Sequence, residues 1–108
     1  MPRNSREMTG HLVEVFVPLQ DADGRAFEST KITRLAQELT EKFGGVTIRN
    51  PMQGKWKEDG HVSDDLIIIM EVVVDEIDRR WWTALQRQLM VEFDQDEILI
   101  RSHAIERL

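Results

Sequence analysis

The segment DLIIIMEVVV, residues 65–74, is the clearest structural signal in this chain of 108 residues. Its run of Ile and Val is typical of a β-strand. Because successive side chains of a strand point to opposite faces, one face receives Ile67, Ile69, Glu71 and Val73. The other face is purely apolar and consists of Leu66, Ile68, Met70, Val72 and Val74. We therefore predict a strand in the middle of a sheet, with helices packed on the purely apolar face.

The segments upstream of this strand predict another strand and an amphipathic helix. Residues 11–19, HLVEVFVPL, read as a Val-rich strand that closes near a proline, a residue that tolerates a strand end better than a strand middle. Apolar side chains then recur at the spacing of one helix face over residues 32–43. Ser29 or Thr30 is the candidate N-cap. Gly44 is expected to end the helix, because glycine takes the left-handed conformation without steric strain.

Two further elements are predicted from local signals. A short strand begins at Val46. The spacing of Asp75 and Asp78 resembles a capping box and predicts the start of a second helix. On that helix, the apolar periodicity places Trp81 in the core and Trp82 at the helix edge.

The order of elements predicts one fold. A last strand, with residues 98–101 as its secure part, completes the pattern β-α-β-β-α-β. This is the order of the ferredoxin-like α+β sandwich, a four-stranded antiparallel sheet with two helices on one face and the first and third strands in the middle. We assign the domain to residues 11–108 and expect residues 1–10 to be a flexible lead-in.

The glycine-flanked segment GKWKEDG, residues 54–60, stands between two predicted strands. One reading is a lid that stacks Trp56 on a small anionic ligand, with Lys55 and Lys57 attracting the anion and His61 beside them, because long connections are often functional. The other reading is a plain hairpin connection whose tryptophan packs on the sheet edge or on a neighbouring subunit. The segment lacks the Gly-Lys-Ser/Thr ending of a P-loop, and both readings stay open.

The sheet face opposite the helices, which we call the open face, combines charged and large apolar side chains. The predicted alternation places five charged or titratable residues there: Glu14, Arg49, Glu71, Arg101 and His103. The apolar residues of this face are Leu12, Phe16, Ile67, Ile69, Val73 and Leu99. Such patches mark an interface or a ligand groove. We favour ion pairs inside a subunit interface, because no nucleophile motif accompanies the set. The alternative is acid–base chemistry on a carboxylate substrate held by the arginines.

Composition limits the chemistry and the partners. The chain has no cysteine, which excludes disulfides and thiolate chemistry, and its formal charge of -6 argues against nucleic acid as a partner. No apolar run is long enough to span a membrane, and residues 1–10 carry no apolar segment of a secretion signal. We therefore expect a cytoplasmic protein without a membrane partner. His11, His61 and His103 lack the spacing of a metal motif, so we predict no metal and no cofactor.

Landmarks in the middle of the chain resemble a known group of sequences. They are Phe43, Gly44, Gly45, Thr47, Gly54, Trp56, Gly60 and Asp65. In this order they resemble small uncharacterised bacterial proteins of the DUF3574 group. The resemblance implies a ferredoxin-like fold and no particular activity. More distantly, the predicted architecture resembles the dimeric α+β barrel proteins, which include cofactor-free monooxygenases, although a shared fold does not fix function.

From these observations we expect a binding or assembly domain. It would self-associate through the open face, as a homodimer or a larger homo-oligomer. The alternative is a small cofactor-free enzyme of the dimeric α+β barrel type, acting on a small carboxylate or aromatic compound. An enzyme would bring a carboxylate and a histidine together in a pocket, whereas an assembly domain would pair two sheets in a dry interface.

Overall fold

The predicted ferredoxin-like fold is confirmed by the structure, a computed structural model that describes residues 9–108. In chain order the elements of this part are β1 (Thr9–Pro18), α1 (Ser29–Phe43), β2 (Thr47–Ile48), β3 (Met52–Glu58), β4 (His61–Val74), α2 (Arg79–Glu92) and β5 (Ile100–Glu106). The strands form one antiparallel sheet, and both helices contribute to a core on the same face of it.

The sheet has the central strands that the sequence predicts. Its order is β2-β4-β1-β5, and β3 pairs with the earlier part of β4. Within residues 9–108 the sheet has five strands rather than four, because the segment after Val46 forms two strands. The break between them falls at residues 49–51, where Pro51 has no N–H to donate to a neighbouring strand.

The core lies between the sheet and the helices, on the face that the alternation predicts. Its strand residues are Val13, Val15, Val17, Ile68, Met70, Val72 and Val74. The helices and the segments after α2 contribute Leu35, Leu39, Trp82, Leu85, Leu89, Phe93 and Ile98. Burying one large apolar side chain stabilises a protein by roughly 1.5–3 kcal/mol, so this cluster is the main source of stability. The predicted separation of the strand faces is confirmed for β1 and β4.

Helix α1 ends as predicted and begins differently. Gly44 has a φ of 85°, and its N–H donates to the Thr40 carbonyl at 2.8 Å. At the other end Glu28 is the N-cap residue and no side chain caps the helix, so the hydroxyl cap predicted at Ser29 or Thr30 is wrong. Both residues already lie within the helix, where their hydroxyls are past the capping position. The Thr30 hydroxyl instead donates to the Glu28 carboxylate at 3.4 Å.

Helix α2 begins later in the chain than the capping-box pattern indicates. Arg79 is its first residue, and the Asp78 carboxylate accepts a hydrogen bond from the backbone N–H of Trp81 at 3.2 Å. Asp78 is therefore the N-cap, and the role predicted for Asp75 is wrong. The Asp75 carboxylate accepts a hydrogen bond from the Arg107 guanidinium at 2.6 Å, which ties the segment after β4 to the end of β5.

The two adjacent tryptophans of α2 exchange the places that the apolar periodicity predicts for them. Trp82 is buried, and its ring stacks on Phe43 with the centroids 5.1 Å apart and the planes at 5°. Trp81 is half-buried, lies edge-on to both of those rings, and carries the Lys42 ammonium 5.1 Å from its centroid. The stack with α1 places Trp82 in the core, so the prediction for these two tryptophans is wrong, although Leu85 and Leu89 of the same helix are buried at the predicted spacing.

Strands β1 and β5 differ from their predicted bounds, since β1 begins earlier and β5 begins at Ile100 and continues to Glu106. Ile98 is buried ahead of β5, whose paired residues run from Ile100 to Glu106. Glu106 pairs with Thr9, so β1 begins inside the segment that we expected to be a lead-in. The Arg107 guanidinium also donates to the Thr9 carbonyl at 2.7 Å and holds this corner together. Residues 1–8 of the expected lead-in lie outside the described residues.

A two-residue turn, Asp59 and Gly60, joins β3 directly to β4. Both residues have a positive φ, 48° and 81°, as in a type I′ hairpin turn, for which Asp-Gly is a preferred sequence. Residues 54–58 therefore belong to a strand, and the segment 54–60 is neither a lid nor a long connection. Strand β4 correspondingly begins at His61, ahead of the start predicted at Asp65.

This hairpin projects beyond the rest of the sheet, and we call residues 54–65 the arm. The β1 partners of β4 end at Ile67, and the Leu66 carbonyl accepts one further bond from Leu19. In the described part of the chain, residues 61–65 pair only with β3, and their side chains are exposed. The radius of gyration, 15.5 Å, exceeds the value of about 13 Å for a compact domain of this length, and the longest dimension is 55 Å.

Candidate functional site

Glu14 lies at the centre of the open face. On β1 it stands directly opposite Glu71 of β4 on one side and Arg101 of β5 on the other. The residue is 3% exposed, which is unusual for a carboxylate without a partner. The strand register thus brings together charged residues from distant parts of the sequence, as the alternation predicts.

Two residues of β5 contact the Glu14 carboxylate. The Arg101 Nε donates a hydrogen bond to Glu14 Oε1 at 2.9 Å, and the His103 Nδ1 lies 3.8 Å from the same oxygen. The Arg101 guanidinium also lies over the Phe16 ring, 4.9 Å from its centroid. The carboxylate and the aromatic ring therefore fix the orientation of this guanidinium, by ion pairing and by cation–π attraction.

Arg49 balances the second glutamate from the opposite edge of the sheet. Its Nε lies 2.8 Å from Glu71 Oε1, at an angle outside hydrogen-bond geometry, so the contact is an ion pair. Its backbone N–H donates to the Ile69 carbonyl at 2.9 Å, which holds Arg49 beside β4 although it lies outside β2. Across the sheet the charges follow the order positive, negative, negative, positive: Arg49, Glu71, Glu14, Arg101. We call these four residues the charged row.

The charged row resolves a like-charge pairing. Two carboxylates directly opposite each other on neighbouring strands repel. Here Glu14 and Glu71 occupy such positions, and each has its own arginine on the outer side. The arrangement leaves the side chains of Arg49 and Arg101 half-exposed, so their remaining N–H groups can donate to a ligand or to another chain.

The apolar residues of the open face differ in exposure. Ile69 is 3% exposed and Ile67 is also buried within the single chain, whereas Val73 is 43% and Leu99 38% exposed. Leu12, which pairs with Val73, and Phe16 are half-buried. The apolar surface that meets water on this face is therefore concentrated at Val73 and Leu99, on either side of β1. A subunit interface at this face stays a prediction.

The residues predicted for an anion-binding lid do not converge. Trp56 faces the same side of β3 as Gly54, whereas Lys55 and Lys57 face the other side. The Trp56 ring lies so close to Gly54 that a Cβ at position 54 would be 3.2 Å from the indole. The Lys55 ammonium lies 3.3 Å from the Asp64 carboxylate of β4. His61 is exposed beside the turn, and the arm does not gather these four side chains into one site.

The arm was not predicted, although the sequence contains a signal for it. Asp59-Gly60 between two segments of similar length is a strong hairpin signal. A hairpin connection was one of the two readings, but the extension of both strands to the turn was missed, and with it Val62, which lies on the arm and is 64% exposed. In residues 9–108, no group of three or more His, Asp or Glu side chains is placed to hold a metal ion. No helix of the described part is long and apolar enough to cross a membrane.

Comparisons of the sequence identify no family. No family model matches the chain, and no curated protein matches it. The resemblance to the DUF3574 group therefore stays a prediction.

Comparisons of the structure find proteins of the same fold. CutA1 from Oryza sativa superposes with a TM-score of 0.63 at 18% identity, over 91% of this chain and 81% of that one. The divalent cation tolerance protein CutA1 from Thermus thermophilus gives 0.61 at 16% identity, over 91% and 84%. A phage SAM lyase in complex with S-methyl-5′-thioadenosine gives 0.61 at 14% identity, over 90% and 89%. At such identities these similarities show the ferredoxin-like fold alone.

Proposed function

We propose that this chain is an assembly domain, which binds further copies of itself through the open face and the arm. The observation that carries the proposal is the arm. A two-stranded hairpin outside a sheet is at best marginally stable in water, and its unpaired backbone edges favour pairing with another chain. Val62 and Trp56 of the arm are 64% and 40% exposed. Trp56 lies on the open-face side of the arm and Val62 on the opposite side. A second copy packed on the open-face side would remove Trp56 from water and stabilise both strands.

The open face and one side of the arm form a continuous surface. Trp56 pairs with Ser63, which lies on the same side of β4 as Ile67 and Ile69. Val73 and Trp56 therefore lie on the same side of the sheet. One partner on that side can contact both. Burying the exposed apolar residues of both regions supplies the favourable free energy of association.

The charged row would give such an association its specificity. Arg49 and Arg101 pair with glutamates of their own chain through Nε, and both side chains are half-exposed. The remaining guanidinium N–H groups can donate to carbonyl or carboxylate oxygens of a second copy. A partner without acceptors at these places would leave buried donors unpaired, which costs free energy.

A second candidate function is a small enzyme that acts at the open face on a small carboxylate or aromatic compound. The buried Glu14 carboxylate beside Glu71 favours it, because proton transfer commonly uses a carboxylate held apart from water. One protein of similar fold is a SAM lyase solved with S-methyl-5′-thioadenosine. Calorimetric titration of that compound into the protein tests this candidate. A saturable heat of binding favours the enzyme, and its absence leaves the assembly domain as the better account.

The experiment that tests the assembly proposal compares two lysine substitutions. Val73→Lys places a charge on the open face, and Val91→Lys places the same charge on α2, where Val91 is 82% exposed. At tens of micromolar, light scattering after size exclusion should find the unmodified chain and Val91→Lys as the same oligomer and Val73→Lys as a folded monomer. Ile69→Lys is a poorer test, because Ile69 is buried within the single chain and its replacement would disturb folding. A monomeric unmodified chain contradicts the proposal.

A further inference from the structure

A groove between α2 and β5 lies outside the surfaces considered so far. Val13 and Ile100 of the sheet and Trp82 of the helix provide apolar walls, and Arg79, Thr83 and Gln86 of α2 provide polar groups along one side. The groove has a volume of about 170 Å³ and opens to solvent. It lies on the helix side of the sheet edge, whereas the charged row lies on the open face. A ligand here would be independent of an association through the open face.

Arg79 contributes a positive charge to the lining of this groove. Arg101 also borders it, but its guanidinium bonds to Glu14 on the other face of the sheet. No acidic residue lines the groove, although the chain as a whole has a net charge of -6. In residues 9–108 no carboxylate lies within ion-pair distance of Arg79, which distinguishes it from Arg49, Arg101 and Arg107. An arginine beside apolar walls and without its own anion matches an anionic ligand.

The position of Arg79 also carries a cost in helix stability. It is the first residue of α2, at the positive end of the helix dipole, where a basic side chain is unfavourable. A side chain that is unfavourable for the local structure and gains no compensating contact within the protein is a candidate for a functional role. Gln86, one wall of the same groove, is held in place because its Nε2 donates to the Ile98 carbonyl at 2.7 Å.

We infer that this groove binds a small aromatic carboxylate, with the ring between Trp82 and the sheet residues and the carboxylate on Arg79. The size of the groove supports a single ring, because a cavity of roughly 150 Å³ in a protein accepts benzene. The apolar walls match the ring, and the unpaired guanidinium matches the planar carboxylate, which it can bind through two parallel N–H groups. A neutral ring of the same size could occupy the apolar part of the groove but could not form the ion pair with Arg79.

The test is a titration of benzoate followed through the indole N–H signals of the tryptophans in NMR spectra. Trp82 lines the groove, whereas Trp56 lies on the arm and serves as an internal control. Benzoate at up to about 20 mM, a range suited to a weak ligand of this size, should shift the Trp82 signal with saturation and leave the Trp56 signal in place. Benzamide, the neutral analogue, should bind at least about tenfold more weakly, because it lacks the charge.

Two neighbouring arginines supply a matched pair of variants. Arg79→Gln should weaken benzoate binding at least about tenfold, whereas Arg80→Gln removes the same charge from the adjacent position outside the groove and should leave the affinity within about twofold. Equal affinity for benzoate and benzamide, equal effects of the two variants, or no shift of Trp82 overturns the inference. Each of these outcomes leaves the oligomeric state, and with it the assembly proposal, unaffected.

Discussion

At the scale of single residues, Glu14 shows how the open face accommodates a buried charge. A carboxylate removed from water without a partner is strongly destabilising. The Arg101 Nε at 2.9 Å offsets this cost, and the Phe16 ring on the other side of the guanidinium keeps it in position. The half-exposure of Arg101 limits the strength of the pair, because water screens the cation.

Replacing Arg101 by Gln is therefore expected to lower the free energy of unfolding by about 1–3 kcal/mol, since it leaves the Glu14 carboxylate without its nearest cation. Arg87→Gln is the control, because Arg87 is exposed on α2, and it should change stability by less than about 0.5 kcal/mol. Urea unfolding followed by circular dichroism at one fixed protein concentration measures both. Equal losses in the two variants would show that the Glu14–Arg101 pair contributes nothing.

Residue positions on the open face could be predicted, and those in the tryptophan cluster could not. Alternation alone places Glu14 and Glu71 on one side of neighbouring strands, and antiparallel pairing makes them neighbours. For Trp81 and Trp82, the helical period favours Trp81 in the core, whereas the structure buries Trp82. The choice is made by the stack of Trp82 on Phe43 of α1, a contact between elements that periodicity does not contain.

At the scale of elements, the two strands of the arm form for different reasons. The sequence of β4 favours a strand by itself, whereas β3 depends on pairing with β4. Residues 54–58, GKWKE, contain glycine, lysine and glutamate, which have weak strand preference. They form a strand because β4 offers partners for them from His61 to Asp65. The long β4, by contrast, was predictable from its Ile and Val content, except for its polar first residues near the hairpin.

The turn at Asp59-Gly60 is expected to control the order of the arm. Gly60 has a φ of 81°, a conformation that costs an alanine about 1 kcal/mol, so Gly60→Ala should speed amide hydrogen exchange in the arm roughly fivefold and leave the core strands unchanged. Gly45→Ala is the matched control, because Gly45 has no positive φ and open space around its Cα. Unchanged exchange in the arm of Gly60→Ala would show that the turn does not hold it.

At the scale of the whole molecule, elongation is the property that the fold class does not explain. A compact domain of this length would have a radius of gyration of about 13 Å, whereas the value here is 15.5 Å and the arm projects beyond the sheet. The ferredoxin-like core could be predicted from the order of elements, because two βαβ units allow few arrangements. Association through the open face was expected from the apolar side chains of that face, and it stays a proposal. Its location changes, since Ile67 and Ile69 are buried within one chain and Val73 and Leu99 are the exposed residues.

The measurement that tests the self-association account most directly detects contacts between copies. An equal mixture of isotope-labelled and unlabelled protein permits nuclear Overhauser contacts between two chains to be selected by isotope filtering. The account predicts such contacts at the methyl groups of Val73 and Leu99 and at the ring protons of Trp56, all exposed in the single chain, and none at Val91, which is 82% exposed on α2. Contacts between copies at Val91 alone, or at none of these four residues, would contradict it.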